Sequence, residues 1–261
     1  MDNVNLTNDV RMGLGTISIG RRWGVNWTQL PTLGAALHLF FLAHTLGIRV
    51  FDTAPGYGFS EQRLGQFLKQ LDHDQLAQLT VMTKCGVHWD FDRSTDYVDH
   101  SYDALCRSID QSFDRLWKVD VMQLHQASVE TLSDSGVMRA MRYARDRGAH
   151  LLGASVKTPT AARLAIDNDE IDVIQLPYNP GSPQMKDSIR LAASRDKTIV
   201  INRPFGMGKL LDDRCVSDAM KTPIDAFRFI LAQPFSGVVL VGTKSERHLQ
   251  DNARAFQSAF G

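Results

Sequence analysis

The sequence predicts an α/β protein whose strands and helices alternate and close into a (β/α)8 barrel. Apolar segments of strand length alternate along the chain with amphipathic segments of helical period. The apolar segments are hydrophobic throughout, as in residues 238–241 (VVLV), which is typical of parallel strands covered by helices. Eight such units in 261 residues suit one barrel domain of the TIM type over residues 1–261, with an open doubly wound sheet as the alternative.

The strands and helices follow one another without a linker or a low-complexity tract. Residues 12–20, a β-branched run interrupted by glycines, are the expected first strand, and residues 21–34 are the loop after it. The later strands are expected at residues 48–52, 79–84, 119–125, 150–155, 171–176, 198–202 and 237–242. The helices are expected at residues 35–46, 60–71, 98–116, 136–147, 159–166, 184–194, 223–232 and 246–256.

Composition and charge are those of an ordinary soluble globular protein. Hydrophobic residues make up 43% and charged residues 22%, and 29 basic residues balance 29 acidic ones. Nothing in this balance suggests nucleic acid or a membrane as a partner. Cys85, Cys106 and Cys215 are odd in number and form no Cys-x-x-Cys pair, so a reducing, cytoplasmic setting is expected. The first residues are neither basic nor apolar, and no secretory signal is expected.

The chain is organised around residues 50–65 (VFDTAPGYGFSEQRLG). The strand ends at Asp52, a Pro-Gly loop presents Tyr57, and a helix begins near residue 60. The third strand ends in Lys84 and the fourth in His125. Because the carboxyl ends of barrel strands meet at one mouth, these four side chains are expected to converge there.

This arrangement resembles the aldo-keto reductase family, whose pattern around the catalytic tyrosine is close to F-D-T-A-x-x-Y-G-x-S-E-x-x-L-G. Every fixed position of that pattern is filled in this chain. Asp52, Tyr57, Lys84 and His125 match the tetrad of the family in chain order, with the local sequences T-K-C-G and D-x-x-Q-L-H. The resemblance covers residues 13–252.

The resemblance implies an NAD(P)H-dependent oxidoreductase that interconverts an alcohol and a carbonyl in an aldehyde, a ketone or a sugar. Tyr57 is the expected proton donor, and because a free phenol with a pKa of about 10 is a poor acid at neutral pH, its acidity must be tuned. Lys84 is expected to lower the pKa of Tyr57, with Asp52 holding the ammonium in place. His125 is expected to orient the substrate carbonyl and to stabilise its developing charge.

A metal site is the competing use of such residues, and none is predicted. No His-x-x-x-His or Cys-x-x-Cys spacing and no cluster of carboxylates accompanies Asp52 and His125, and Lys84 would repel a cation.

The cofactor is expected to be NADP(H), with NAD(H) less favoured. No Gly-x-Gly-x-x-Gly sequence follows the first strand, so a Rossmann site is not expected. The resemblance instead implies cofactor contacts after several strands. These are expected at Gly15, Thr16, Ser155, Gln175, Asn202, Arg203, Pro204, Gly206, Gly208, Gly242, Thr243, Lys244, Ser245, Arg247, His248 and Asn252.

Three features of this set bear on the nucleotide. Val156 stands where the family commonly has Asn, and Asn202 stands where it usually has a stacking aromatic residue. The Gly-Thr-x-Ser turn of residues 242–245 opens the last helix, where free N–H groups suit a phosphate. Lys244 or Arg247 could pair with a 2′-phosphate, which favours NADP(H).

The substrate is expected to be a small carbonyl compound or sugar, bound beside Tyr57 and His125. Trp23 and Trp27 lie in the loop after the first strand and are candidates for the substrate wall, with packing on the barrel rim as the alternative. The short chain has no obvious long C-terminal loop, which favours an open, polar pocket and a hydrophilic substrate.

Two other functions remain open at this point. Family members similar to potassium-channel beta subunits keep the fold and the nucleotide but serve chiefly as sensing modules, and the departures at Val156 and Asn202 are compatible with weak turnover. A cofactor-free lyase or isomerase would use Lys84 as a Schiff base. The complete tetrad favours the reductase.

Overall fold

Eight parallel strands form a closed barrel in the computed structural model of the protein, which describes residues 10–24, 29–211 and 222–260. The strands in chain order are β1 (Val10–Gly15), β2 (Val50–Asp52), β3 (Thr80–Cys85), β4 (Val87–Asp90), β5 (Thr95–Val98), β6 (Val121–Ala127), β7 (Leu151–Val156), β8 (Val173–Pro177), β9 (Thr198–Asn202) and β10 (Gly237–Gly242). The barrel order is β1-β2-β3-β6-β7-β8-β9-β10, and β10 pairs with β1. The predicted closed barrel is confirmed, and the open sheet is excluded.

Helices connect the strands and cover the outside of the barrel. They are α1 (Ile17–Gly20), α2 (Leu33–Thr45), α3 (Ser60–Leu68), α4 (His73–Ala77), α5 (Tyr102–Leu116), α6 (Val129–Ser133), α7 (Ser135–Asp146), α8 (Pro159–Asp167), α9 (Lys186–Ser194), α10 (Pro223–Leu231) and α11 (Glu246–Ser258). Short 3-10 turns lie at Pro55–Tyr57 and Gly206–Leu211. None of the helices in the described ranges is long and apolar enough to cross a membrane.

Local sequence explains where several helices begin. The hydroxyls of Thr158 and Thr222 accept N–H groups from the first turns of α8 and α10, and a proline follows each threonine at the first helical position. Such caps satisfy donors that have no partner within the helix, and proline has no N–H to lose there. The two threonines therefore set the residues at which α8 and α10 begin.

The core has two layers. Between strands and helices, the rings of Phe40, Phe51 and Phe67 meet at centroid distances of 5.5 to 6.0 Å. Inside the barrel, a second cluster of buried side chains fills the space beneath the mouth. Its members are Val50, Met82, Val121, Val173, Val200, Val238 and Leu240. The barrel is therefore a packed core that is closed below the strand ends.

Several predicted boundaries are wrong. The first strand does not run over residues 12–20, because it ends at Gly15 and residues 17–20 form α1. The helix predicted over residues 98–116 begins at Tyr102, since Thr95–Val98 is strand β5.

Strands β4 and β5 form an antiparallel hairpin outside the barrel that was not predicted. The Asp90 carboxylate accepts the N–H groups of Asp92 and Arg93, and this local turn reverses the chain. The short helices α4 and α6 were also missed. Each begins at its own capping residue, Asp72 or Ser128.

Two residues singled out from the sequence, Trp27 and Cys215, lie outside the described residues. The other two cysteines, Cys85 and Cys106, are free thiols. Burial raises the pKa of Cys85 to about 12, so this thiol is unreactive at neutral pH.

Candidate active site

The structure brings Asp52, Tyr57, Lys84 and His125 together at the carboxyl ends of β2, β3 and β6. These strands are neighbours in the barrel because the β4–β5 hairpin stands outside it. Lys84 Nζ donates to both carboxylate oxygens of Asp52, each at 2.7 Å, and to the carbonyl oxygen of Thr53 at 2.8 Å. It lies 5.0 Å from the centre of the Tyr57 ring.

The Tyr57 and His125 rings stand almost perpendicular to each other, at 87°, with centroids 5.7 Å apart. The two rings therefore lie against each other at the mouth of the barrel.

The pleat of the strands explains why polar side chains point into the barrel. Successive side chains of a strand point to opposite faces, so the residue two positions after a core residue faces the same way. On β3, Met82 belongs to the inner core and Lys84 follows it; on β6, Gln123 follows Val121 in the same way. The same spacing relates Val50 to Asp52, Val173 to Gln175 and Val200 to Asn202. The site is thus the next layer of the barrel interior.

The loop that carries Tyr57 is held from two sides. On one side Gly20 packs so closely that a Cβ there would lie 2.0 Å from the Tyr57 carbonyl oxygen. On the other side, the fully buried Glu61 of α3 accepts hydrogen bonds from Thr83 and Ser112 and pairs with Arg115 at 2.9 Å. The glycine and the buried acid give the tyrosine a fixed position.

The pKa of Tyr57 is raised above its usual 10.0 because burial disfavours the phenolate. The Lys84 ammonium acts in the opposite direction but is outweighed. Lys84 thus lowers this pKa as expected, but burial sets the net direction. Tyr57 is a protonated phenol at neutral pH and can donate its proton.

Lys84 is charged and His125 is neutral at neutral pH. Burial acts to lower the pKa of Lys84, but the charge of Asp52 and the hydrogen bonds to Asp52 and Tyr57 outweigh it, and the net pKa is raised above 10.5. Burial, followed by the charge of Lys84, holds the pKa of His125 well below 6.5. Lys84 is thus an ammonium ion, and His125 is a neutral imidazole that can donate a hydrogen bond.

One cavity of about 1200 Å³ extends from the tetrad across the barrel mouth. Asp52, Tyr57 and His125 line it, whereas Lys84, only 1% exposed, lies behind them. Trp23 lines it as well. Most residues predicted to contact the cofactor also line it, namely Gly15, Thr16, Ser155, Gln175, Asn202, Arg203, Pro204, Gly208, Gly242, Thr243, Lys244, Ser245, His248 and Asn252.

Two of the predicted cofactor contacts do not line this cavity. Gly206 opens the 3-10 turn after β9 and is absent from the wall. The Arg247 side chain is 87% exposed and lies 3.7 Å from Asp251. Arg247 stands on the outer face of α11, so of the two cations expected at a 2′-phosphate, Lys244 is the one at the cavity.

The wall on the β8–β9 side contains buried polar atoms suited to a nicotinamide. Gln175 Oε1 and Asn202 Oδ1 are buried and have no hydrogen-bond partner among the described residues. Because unpartnered buried acceptors are costly, they indicate a ligand with N–H donors, which the carboxamide of a nicotinamide provides. Ser155 lines the cavity beside them, so the residues present fit the cofactor.

Several residues of the site were not predicted. Gln123 donates through Nε2 to Asp52 Oδ1 at 3.2 Å, and a polar residue inside an apolar strand was the available signal. Arg21, Asp96 and Lys157 also line the cavity. No sequence pattern marks these three, because the chain brings them together only through the hairpin and the strand ends.

Within residues 10–24, 29–211 and 222–260, no group of three or more His, Cys, Asp or Glu side chains could hold a metal ion.

Comparison with known proteins finds a family model and several relatives that match this sequence. A model of the Aldo/keto reductase family matches residues 11–223. The chain is 30% identical over 206 residues to the NADH-specific methylglyoxal reductase of Escherichia coli strain K12, and 27% identical over 201 residues to the aldo-keto reductase YhdN of Bacillus subtilis strain 168. These matches cover 73% and 72% of this chain, but 61% and 55% of the two relatives.

Solved structures share the architecture over nearly the whole chain. A putative aldo-keto reductase from Pseudomonas aeruginosa aligns with a TM-score of 0.77 and 26% identity, covering 98% of this chain and 92% of that one. The glycerol dehydrogenase of Gluconobacter oxydans aligns with a TM-score of 0.75 over 98% of this chain and 87% of its own, at 20% identity. The second likeness concerns the fold alone.

Proposed function

The chain belongs to the aldo/keto reductase family, and we propose that it is an NADPH-dependent reductase of small carbonyl compounds in which Tyr57 donates the proton. The observation that carries this proposal is the buried Lys84–Asp52 pair beside Tyr57 and His125, which border a cavity of about 1200 Å³. The same site would oxidise the corresponding alcohol with the oxidised cofactor.

Each side chain has a distinct part in the reaction. The bound nicotinamide supplies the hydride. His125, as a neutral imidazole, donates a hydrogen bond that orients the carbonyl oxygen. Tyr57 then gives its proton to the oxygen as negative charge develops there. Lys84 stabilises the phenolate left on Tyr57, and Asp52 holds the ammonium in place.

Gln175, Asn202 and Ser155 would hold the carboxamide of the nicotinamide. In this role the buried oxygens of Gln175 and Asn202 gain the donors that they lack among the described residues. A hydrogen bond to Asn202 would take the place of the stacking aromatic ring that is usual in the family. The departure from the family pattern at Asn202 is therefore compatible with cofactor binding and turnover.

We propose that NADPH is preferred over NADH by a small factor. Lys244 lines the cavity at the start of α11, where a 2′-phosphate would meet both its charge and the helix N-terminus. Asp251 lines the same end and opposes a phosphate. One partly exposed charge pair corresponds to a preference of up to about fivefold. The E. coli relative is named NADH-specific, so a preference for NADH is the competing outcome. Measuring kcat/KM with each cofactor, in the wild type and in Lys244→Met, decides between the two.

The deciding experiment is loss of NADPH absorbance with a panel of aldehydes, aldoses and ketones, comparing the wild type with Tyr57→Phe. We expect the variant to lose about 10²- to 10⁴-fold in kcat while NADPH affinity is kept, since the ring remains and only the proton is removed. Tight NADPH binding without turnover in either direction would support the sensing module. Absence of nucleotide binding would refute the proposal.

The Schiff-base alternative is disfavoured by the state of Lys84. A lysine nucleophile must be an uncharged amine, whereas Lys84 is held as an ammonium ion with its pKa raised by Asp52 and Tyr57 against the effect of burial.

A further inference from the structure

A cationic side chain that the tetrad does not use stands at the mouth of the cavity. Arg21 directly follows α1, lines the cavity and is 13% exposed in its side chain. Its Nη1 donates to the Gly56 carbonyl oxygen at 2.8 Å and lies 3.3 Å from Asp96 Oδ1. Its Nε is buried without a hydrogen-bond partner in the described part of the chain. Arg21 is therefore a partly buried charge whose Nε has no partner among the described residues.

Two indole rings hold the guanidinium of Arg21. Its Cζ lies 5.1 Å from the ring centre of Trp23 and 4.8 Å from that of Trp89. Aromatic faces attract the cation and shield it from water. A charge fixed in this way binds an anion more strongly than a freely hydrated one.

Positive charge exceeds negative charge at this end of the cavity. Lys157 follows β7, lines the cavity and forms no ion pair with any residue that the structure describes. Burial and Arg203 lower the pKa of Lys157, and Asp96 acts in the opposite direction. Asp96 is thus the carboxylate that acts on both cations, as an ion pair with Arg21 and through its charge on Lys157.

The other carboxylates at the cavity are engaged elsewhere. Asp52 is paired with Lys84 at 2.7 Å. Asp251 lies within 4 Å of Arg247 and Arg254 on α11. Neither can neutralise the excess positive charge at the Arg21 end.

We propose that the cavity selects carbonyl substrates that carry a carboxylate, which binds to Arg21 and Lys157 in place of Asp96. This rests on the proposed reductase function and names its substrate class. Asp96 lies on the hairpin, is 37% exposed and contacts Arg21 at a single distance of 3.3 Å, so its hold is weak. A substrate carboxylate would meet the planar guanidinium with two parallel hydrogen bonds, the geometry that arginine favours.

The test uses two substrates of similar shape, 4-carboxybenzaldehyde and its methyl ester, of which only the first carries a charge, and compares every variant with the wild type. The readout is the ratio of kcat/KM for the acid to kcat/KM for the ester. We expect a ratio above about ten in the wild type, the value of one charge-assisted hydrogen bond. Arg21→Met should bring the ratio close to one, Lys157→Met should lower it less, and Asp96→Asn should raise it about threefold or more by freeing Arg21.

The matched control is Asp92→Asn, which removes the same charge from the same hairpin at a residue that does not line the cavity. It should leave the ratio at the wild-type value. If Arg21→Met fails to fold, because Nη1 also holds Gly56, then Asp96→Asn and Lys157→Met read the same ratio without removing that bond.

A wild-type ratio at or below one, or a ratio that falls in Asp96→Asn, would overturn the inference while leaving the reductase function in place. Failure to reduce either compound or any other carbonyl with a bound cofactor would instead refute the proposed function itself.

Discussion

The two sides of the cavity differ in how their polar groups find partners. On the β2–β6 side, the charges of Lys84 and Asp52 satisfy each other at 2.7 Å and Gln123 adds a third bond, although Gln123 Oε1 and His125 Nδ1 lack partners among the described residues. On the β8–β9 side, Gln175 and Asn202 end in buried oxygens without partners in the described residues. Both sides come from the same layer of the barrel, one pleat above the apolar core.

This difference separates what the protein must hold rigid from what it leaves for a ligand. The charged pair is costly to bury and stays in place only because each partner neutralises the other. An unpartnered amide costs less and is satisfied when a ligand binds. The first side therefore contributes to folding, and the second contributes to binding.

The largest effect on stability and activity is expected for substitution of Lys84. In Lys84→Met the Asp52 carboxylate stays buried without its partner, and we expect a loss of about 3–5 kcal/mol in the free energy of unfolding. We also expect a loss in kcat of at least about 100-fold, because the tyrosine proton transfer depends on the ammonium. Urea denaturation and NADPH oxidation measure the two effects.

The double variant Asp52→Leu with Lys84→Met is the control for this prediction. It should regain most of the stability but none of the activity, since two apolar residues can replace a buried ion pair structurally. A double variant as unstable as Lys84→Met would show that the pair is not the cause.

Replacing a glutamine by methionine on each side of the cavity separates the contribution to stability from the contribution to binding. Gln123 and Gln175 both have an unpartnered Oε1, but Gln123 also donates to the Asp52 carboxylate. Gln123→Met should therefore cost about 1.5–3 kcal/mol of unfolding free energy, the value of a hydrogen bond to a charged group. Gln175→Met should change it by less than about 1 kcal/mol but weaken cofactor binding roughly 2- to 12-fold.

Denaturation without cofactor and titration of intrinsic fluorescence with NADPH give the two quantities. A stability loss of more than about 2 kcal/mol in Gln175→Met would mean that its amide is engaged within the protein.

His125 makes the β2–β6 side sensitive to acid. Its pKa is depressed in the folded protein, so below pH 6.5 the unfolded chain binds a proton that the folded one does not. Stability is therefore lost as pH falls below 6.5, with a slope of up to about 1.4 kcal/mol per pH unit from this group. His125→Asn should lack this component, and denaturation of both proteins between pH 7 and 5 measures it. Parallel pH curves would contradict the depressed pKa.

The smallest effect is expected at Arg247. Its side chain is largely exposed and does not line the cavity, so Arg247→Ala should change the NADPH affinity by less than about twofold. Lys244→Met should lower the ratio of NADPH to NADH affinity by up to about fivefold. An equal loss of NADPH affinity in Arg247→Ala and Lys244→Met would mean that both cations contact the 2′-phosphate.

Much of the site was predictable because barrel geometry is periodic. A polar residue two positions after a core residue must face inward at the mouth, and the Asp52–Tyr57 loop carries a long specific pattern. The hairpin was not predictable in this way. Its turn depends on the Asp90 carboxylate, and Val98, the last residue of β5, was expected to begin a helix.

The sequence by itself determined the barrel, the order of its strands and helices, and the placement of Asp52, Tyr57, Lys84 and His125 at neighbouring strand ends, because hydrophobic period and turn residues are local properties. Tertiary structure alone decided the raised pKa of Tyr57, the exclusion of Arg247 from the cavity and the meeting of Arg21 with Asp96. Desolvation and charge pairing depend on which distant segments pack together, and that packing exists only in the folded chain.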